Sequence, residues 1–565
     1  MATTAASELV VIQGSASRAL PVLTAGEREG LGARPAEGYG HLPIELLRTE
    51  RNCYVFDAHR VCFLPVEPVA FDLLAILRER PVSLDELIAR LPQHPAGEVR
   101  SAHRALLEAQ AEGFLVPYRF ERAARHTNDE YREVLSRRMG GFTIFITTRC
   151  NLGCSYCIYG GQYNQHAELS QTPMPWETLQ ATMDFLARHS PESPQVRLDF
   201  FGGEPLLAFP TLARSVRYLK SLLPAGKPQV VVTITSNGTI LTDAILDFLL
   251  EHDVYLQFSI DGGRASHDRA RPFKGTDRGS YDLILRNLQK IYDRDPRYFQ
   301  THMRLKGVLT TEGVEEDDTE FFAHPLVGLI AAEGHFIYLN LEPHYDLAKD
   351  TDYFERLDRL GRRLLAVRGA ETEADLLGSL NPKQRALYHH TFGLFFDAQA
   401  IQEVYFAGSA AVPFAKGCLT GFQEGAVSPN GDISICLKSA KGDNFVIGNV
   451  LEGRWYFEKI QQLNALFHHD WAGCSSCFVQ RFCELCYEKL NGEVGQWASG
   501  RRKFCDFNRQ RYRTIFHYML RVLEENPALW KHVDHVIDLK LQRERASAGD
   551  DAARYSSRSL YSSPE

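Results

Sequence analysis

The sequence predicts an α/β fold: a parallel sheet with helices outside it, preceded by a small winged-helix-like unit and followed by a cysteine-rich one. Three observations carry this expectation. From Gly141 to about His344, apolar runs of strand length alternate six times with helical patterns. From about His41 to Pro117, two short strand-like runs are followed by three stretches with apolar spacing of three and four. Between Cys418 and Cys505, seven cysteines occur in close succession.

The bulk numbers narrow the class. A chain of 565 residues suggests several domains, and an apolar content of 44% is ordinary for globular protein. The net charge of -8 points to neither nucleic acid nor an anionic membrane surface. No apolar run is long enough to span a bilayer. The start, Met1-Ala-Thr-Thr-Ala-Ala-Ser-Glu8, has neither a basic segment nor an apolar signal core, so a cytoplasmic location is expected. Of the 12 cysteines, all but Cys53 and Cys62 fall in groups. In a reducing compartment such grouping argues for metal and not for disulfides.

Residues 1–40 are rich in Ala, Gly and Ser and lack periodicity, which predicts a flexible arm. In 41–117, Cys53-Tyr-Val-Phe-Asp57 and Arg60-Val-Cys-Phe-Leu64 read as a hairpin, with Cys53 and Cys62 as packed core thiols. Helices are expected at Pro68–Arg80, at Ser83–Leu91 with Ser83 as N-cap, and at Ala96–Glu112. Residues 118–140 are charged and predict a linker helix. In 141–346, strands are expected near 142–148, 196–201, 229–235, 254–260, 303–310 and 335–341. Helices such as Trp176–His189, Leu241–His252 and Tyr281–Tyr292 lie between them. In such a sheet the active site belongs at the C-terminal strand ends. Residues 347–414 predict a helical insertion. A cysteine-rich unit spans 415–510, and a C-terminal helix (Phe507–Asn526) and a disordered tail complete the chain through 511–565.

The first strand runs into Cys150-Asn-Leu-Gly-Cys154-Ser-Tyr-Cys157. Three thiolates spaced C-x3-C-x2-C can hold three irons of a cubane cluster, which leaves the fourth iron open to a substrate or cofactor. Zinc prefers four ligands in paired C-x2-C units. This spacing resembles the signature of the radical S-adenosylmethionine (SAM) enzymes, whose fold is an open, partial (β/α)6 barrel. The resemblance implies a [4Fe–4S] cluster on Cys150, Cys154 and Cys157. Its open iron chelates SAM, and one electron yields a 5′-deoxyadenosyl radical that abstracts a hydrogen atom. The other strand ends extend the likeness. Gly202-Gly203-Glu204 follows the second strand and is implied to meet the SAM amino group. Asn237 lies in the polar turn Thr235-Ser-Asn-Gly-Thr239 after the third. Ser259-Ile-Asp-Gly262 with His267-Asp-Arg-Ala-Arg271 follows the fourth. There Ser259 is implied to meet the SAM ribose and Arg271 its carboxylate, with Tyr156 near the adenine. Asp261 and His267 read as turn-forming and loop-bracing residues. The sixth strand leads to Glu342, His344 and Tyr345, candidate catalytic or substrate-contacting residues at the barrel mouth.

In the last cysteine region, Gly431 to Cys436 closes a hairpin on an Asn430-Gly431 turn, and Cys474-x2-Cys477-x5-Cys483-x2-Cys486 follows, with Cys505 beyond. Seven cysteines exceed one four-ligand site and fall one short of two. The pattern resembles the SPASM domain of radical SAM peptide maturases, with x2 where x3 is usual before Cys486. By that resemblance Cys474, Cys477, Cys483 and Cys505 close one auxiliary [4Fe–4S] cluster. Cys418, Cys436 and Cys486 hold another with three thiols, so three clusters are implied in all. The unit at 41–117 is similar to the peptide-recognition element of enzymes that modify ribosomally made peptides, where a leader peptide adds a strand to the hairpin edge. The implied function is a radical SAM/SPASM maturase that oxidatively modifies a precursor peptide, forming thioether or carbon–carbon cross-links. Its reductant would be of flavodoxin or ferredoxin type. An alternative is an anaerobic sulfatase maturase, although its catalytic Asp would stand where Leu437 follows Cys436. Another is a zinc-binding winged-helix scaffold.

Overall fold

The computed structural model describes residues 42–60, 62–117, 121–123, 128–157, 173–223, 228–310, 313–316, 318, 319–333, 335–340, 347–392, 411–413, 425–435, 437, 445–468, 474, 476–483, 485 and 497–529. The expected arm at 1–40 and the tail beyond 546 lie outside these residues. So do Glu342, His344, Tyr345, Cys418, Cys436 and Cys486.

The N-terminal unit is a three-stranded antiparallel sheet, β1 (Ile44–Arg48), β2 (Cys53–Asp57) and β3 (Cys62–Val66), in the order β1-β2-β3. Three helices follow: α1 (Pro68–Glu79), α2 (Leu84–Arg90) and α3 (Ala96–Ala111). Ser83 caps α2, its hydroxyl accepting from the Glu86 amide. Cys62, Leu64, Leu73, Leu77, Leu87 and Val99 close a small core of their own. The helices and the first hairpin strand stand where the sequence puts them, the second strand begins two residues later than expected, and β1 carries no alternation and was not legible.

The connecting segment is not helical throughout, as expected for 118–140. Among the described residues it contains a strand, β4 (Glu121–Ala123), and a helix, α4 (Asn128–Arg137). The reason is a remote partner: β4 pairs in parallel with Ala411–Pro413, a contact that local periodicity cannot reveal.

The central unit alternates as predicted: β5 (Gly141–Thr147), α5 (Trp176–His189), β6 (Gln195–Gly202), α6 (Phe209–Leu222), β7 (Gln229–Ser236), α7 (Asp243–Glu251), β8 (Tyr255–Ser259), α8 (Arg264–Ala270), α9 (Tyr281–Arg294), α10 (Pro296–His302), β9 (Met303–Leu309), α11 (Thr319–Ala323), α12 (Pro325–Ala332) and β10 (Phe336–Asn340). All neighbouring pairs from β5 to β10 are parallel. Ile144, Phe200, Ile234, Leu256 and Met303 pair across the sheet and are wholly buried under the helices. The opposite pleat carries Asp199, Thr233, Gln257 and Arg304, all half-buried. This alternation turns an apolar face to the helices and a more polar face away from them.

The insertion is helical as expected: α13 (Leu347–Ala366), α14 (Glu373–Gly378) and α15 (Pro382–Thr391), followed by β11 (Ala411–Pro413). Thr372 and Asn381 form capping boxes that fix the starts of α14 and α15. Next come β12 (Gly425–Val427), β13 (Asp432–Ser434), β14 (Val446–Asn449), β15 (Arg454–Trp455), α16 (Phe457–His468) and α17 (Trp497–Glu525). β12 and β13 form the hairpin expected at Asn430-Gly431, where Gly431 takes a φ of +88°. β12 also pairs in parallel with β5, so one ten-stranded sheet runs β10-β9-β8-β7-β6-β5-β12-β13-β14-β15. α17 begins ten residues before the expected Phe507, because Cys505 lies on the helix and is not a border before it.

Candidate functional site

The loop after β5 brings Cys150, Cys154 and Cys157 to the C-terminal end of the parallel sheet. Burial pushes the Cys150 and Cys154 thiols up, Cys154 to about 12, and the neighbouring sulfurs add to this. Arg271 opposes the rise at Cys154. Cys150 Sγ accepts from the Leu152 amide (3.5 Å) and from Asn237 Nδ2 (3.7 Å). Cys157 adds to the rise of both, N–H groups are directed at one sulfur and a guanidinium lies near another, a donor set suited to an iron–sulfur cluster. The protons they hold must leave when metal binds.

The loop is anchored by the neighbouring strand ends. Gly203 N donates to Thr147 O and Glu204 N to Arg149 O, both at 2.8 Å. A Cβ on Gly202 would lie 2.2 Å from Thr147 O, and one on Gly203 would lie 2.2 Å from Arg149 O. The glycine pair therefore admits the backbone that leads into Cys150. Asn237 performs a related task. Its Nδ2 also donates to Asn151 Oδ1 (2.7 Å), while its Oδ1 accepts from the Thr239 amide and hydroxyl.

Glu204 is fully buried. Its Oε1 accepts from the Leu206 amide (3.0 Å) and the Ser236 hydroxyl (2.9 Å), and its Oε2 from the Asn237 amide (2.7 Å). Burial raises this carboxyl to about 7, against the lowering effect of the three donors. An ammonium reaching the remaining lone pair of Oε2 would favour the ionised form.

Asp261, after β8, is the hub of the site. Its Oδ2 accepts from Arg271 Nε (2.8 Å), and its Oδ1 accepts from Arg271 Nη2 (3.1 Å) and the Val308 amide (2.8 Å). The Tyr156 hydroxyl donates to Oδ2 as well, and the Arg271 guanidinium sits 5.2 Å from the Tyr156 ring. Burial would raise Asp261, but Arg271 outweighs it and holds the carboxyl below its usual range. Burial likewise opposes the Arg271 charge, and Asp261 more than compensates. His267 Nδ1 accepts from the Asp261 amide (3.2 Å), so Nε2 carries the proton toward Ser280 Oγ (2.9 Å), whose hydroxyl donates to Arg271 O (2.9 Å). Burial pushes His267 down to about 3, so it stays neutral. Asp261 and His267 brace the loop, as their residue types suggest, and together they orient Arg271 and Tyr156.

A second group of thiols forms where α17 meets the preceding loop. Cys477, Cys474 and Cys505 each raise Cys483, after burial as the main cause. Arg509 hydrogen-bonds Cys477, partly offsetting its burial. The Cys477 amide donates to Cys474 O (3.1 Å) and that of Gln480 to Cys477 O (3.0 Å), which folds the C-x2-C turn. Cys474, Cys477, Cys483 and Cys505 thus lie together, with Arg509 beside Cys477. Ser280 and Arg509 were not singled out from sequence, whereas Thr239 lies in the polar turn expected after the third strand. Asn151 had a signal in its place inside the cysteine loop. Ser259 ends β8 beside Lys306 and is half-buried.

Residues 144–308 match the family model of the radical SAM superfamily. Over 125 residues the chain is 32% identical to the serine-type anaerobic sulfatase-maturating enzyme of Bacteroides thetaiotaomicron, covering 22% of this chain and 30% of that one. It is 28% identical over 139 residues to an uncharacterised protein of Methanocaldococcus jannaschii, covering 25% and 44%. It is 22% identical over 156 residues to a radical SAM cyclopropyl synthase of Paramaledivibacter caminithermalis, covering 25% and 32%. The chain thus spans less than half the length of these curated relatives. Among solved structures, native anSMEcpe with bound AdoMet aligns at a TM-score of 0.44 with 17% identity, covering 66% of this chain and 97% of that one. Streptococcus suis SuiB bound to S-adenosylmethionine aligns at 0.38 with 14% identity, covering 80% and 97%. Among the described residues, no helix is long and apolar enough to cross a membrane.

Proposed function

With a radical SAM domain at residues 144–308 as the premise, we propose that the protein is a radical SAM/SPASM maturase that oxidatively modifies a ribosomally synthesised peptide. The observation that carries this reading is the meeting of three half-buried thiols with the Glu204 and Asp261–Arg271 networks at one end of the sheet. Cys150, Cys154 and Cys157 would hold a [4Fe–4S] cluster, which together with SAM supplies one-electron, hydrogen-abstracting chemistry. This chain's part is to bind and orient. Glu204 and the backbone of Gly202-Gly203 receive the SAM ammonium. Arg271, held on two sides by Asp261, presents its remaining Nη1 to the carboxylate. Ser259 takes the ribose, and Tyr156 borders the adenine. Glu342, His344 and Tyr345 are the proposed substrate-side groups.

Cys474, Cys477, Cys483 and Cys505 would hold one auxiliary cluster, and Cys418, Cys436 and Cys486 another. The sheet of β1–β3, with helices α1–α3, is the proposed dock for a leader peptide, which would add a strand to a sheet edge. A flavodoxin- or ferredoxin-type protein would supply electrons, in the cytoplasm. The proposed product is an intramolecular thioether or carbon–carbon cross-link.

A second reading, formylglycine formation, is favoured by the 32% identity to the Bacteroides enzyme. Anaerobic incubation with a candidate precursor peptide separates the two. Loss of two hydrogens with a cysteine made resistant to alkylation supports a thioether. Conversion of a Cys or Ser to an aldehyde supports formylglycine. The premise has its own test: replacing Cys150, Cys154 and Cys157 together by Ala should abolish 5′-deoxyadenosine production. Undiminished production would refute it.

A further inference from the structure

The insertion α13–α15 lies outside the matched family region, yet one of its side chains reaches the turn after β8. Lys383, in the first turn of α15, is buried with 1% of its side chain exposed and faces Asp318, which is 2% exposed. Its ammonium lies 2.9 Å from Asp318 Oδ2 and donates to Ser266 Oγ at 3.0 Å. Asp318 Oδ1 accepts from the Gly263 amide (2.9 Å), and Ser266 Oγ is 3.1 Å from Gly263 O. The pair thus grips the Asp261-Gly262-Gly263 turn by its backbone. A Cβ on Gly262 would fall 1.9 Å from Asp318 Oδ2 and 2.7 Å from Lys383 Cε, and Gly262 has a φ of +111°. Only glycine fits there, because the ion pair presses directly on the turn.

That turn carries Asp261, and Asp261 holds Arg271 and Tyr156. The α15 helix is seated independently: Asn381 Nδ2 donates to Val314 O (3.1 Å) and Gln384 Nε2 to Glu315 Oε2 (3.4 Å). A buried ion pair is a poor way to gain stability, because desolvation offsets its attraction. Its geometry does fix one position for the backbone it grips.

We propose that Lys383 and Asp318 are positioning residues for SAM, setting Asp261 and through it Arg271 and Tyr156 from the helical insertion. This rests on the radical SAM reading above.

The test is equilibrium dialysis of SAM against the anaerobically reconstituted full chain, wild type and K383M/D318N. The double variant removes both charges while keeping side-chain shape and the acceptor for Gly263. The expected result is SAM binding weaker by about tenfold, with iron and sulfide content unchanged. Deuterium exchange should also be faster in 259–271 and 150–157, segments that the replaced residues do not belong to. Equal SAM affinity and equal exchange would overturn the inference and leave the radical SAM reading intact. Wild-type protein that carries its clusters and fails to bind SAM would overturn both. Should the double variant lose its circular dichroism signal, D318N, which preserves both shapes, is measured in the same way with the same outcomes.

Discussion

Glu204 shows how a single buried carboxyl can report on its site. Its folded value of about 7 stands above the model-compound value of 4.5. A carboxyl raised on folding contributes stability that is complete below its unfolded value and is lost as pH rises through its folded value. In the metal-free protein this loss, accumulated from about pH 4.5 to above 7, amounts to about 3 kcal/mol. E204Q removes the titration. The stability difference, wild type minus E204Q, should therefore fall as pH rises from 5 to 8, as read from denaturant melts at several pH values. A difference that stays flat would mean that Glu204 is already ionised at pH 5. The same neighbourhood shows what the sequence could and could not tell. Residue types at the strand ends, Gly202-Gly203-Glu204, Asn237 and Ser259 to Arg271, were legible because a parallel sheet gathers its C-terminal ends. Their immediate partners were not. The glycines make room for Thr147 and Arg149 backbone, and Asn237 turns to Cys150 and Asn151, choices set by the loop's path across the sheet and not by any local pattern. Lys383 carried no signal at all, since its partners Asp318 and Ser266 are remote in sequence and a lone lysine on a helix ordinarily faces water.

At the scale of elements, α17 joins parts that the sequence reading kept separate. It carries Cys505 near its start and Glu524 near its end. Glu524 Oε1 accepts from Thr49 Oγ1 (2.8 Å), Asn52 Nδ2 (2.8 Å) and the Tyr54 hydroxyl (2.9 Å), so one carboxylate oxygen collects three donors from the β1–β2 hairpin. Burial and Glu524 together raise Tyr54 well above an ordinary phenol. Arg513 reaches Glu45 on β1 at 2.9 Å, and Phe516 packs on Phe56 and Phe63 with ring centroids 4.6 and 5.1 Å apart. E524A leaves those donors without their shared acceptor and should cost about 1–3 kcal/mol. The cost should appear as faster hydrogen exchange in Ile44–Val66 while α5 and β6 exchange as before. Unchanged exchange in the hairpin would show that the aromatic contacts and the Arg513–Glu45 pair hold it without Glu524. Of these strands, β2 and β3 were readable from sequence and β1 was not. Nor was their dock, because an amphipathic helix shows which face is buried but never against what.

For the whole molecule the consequential feature is the continuous sheet. β12 pairs with β5 through Gly425↔Phe142, Ala426↔Thr143 and Val427↔Ile144. The barrel core and the C-terminal strands therefore share one apolar cluster, in which Val427, Ile433, Ile447 and Trp455 join Phe142, Phe185 and Leu198. Trp455 is the clearest link. Its ring is 5.2 Å from Phe185 and 6.3 Å from Phe142, and its Nε1 donates to Leu135 O at 3.0 Å. Sequence reading divided the chain at about residue 414 because a composition shift and a change of motif stand there. The strand pairing across that border is invisible to both. If the two units were independent, W455A would loosen only β12–β15. With a shared core, the lost ring and the orphaned Leu135 carbonyl should cost about 3–5 kcal/mol to both. Hydrogen exchange should then quicken together in Gly141–Thr147, in Trp176–His189 and in Val446–Trp455, and thermal unfolding should keep a single transition at lower temperature. Exchange confined to β14 and β15 would mean that the C-terminal strands are an appendage, and that the pairing with β5 adds little to the barrel. A common response would mean that the second thiol group is held in fixed register with the first, because the strand that leads to Cys150 and the strands that precede Cys474 then belong to one cooperative sheet.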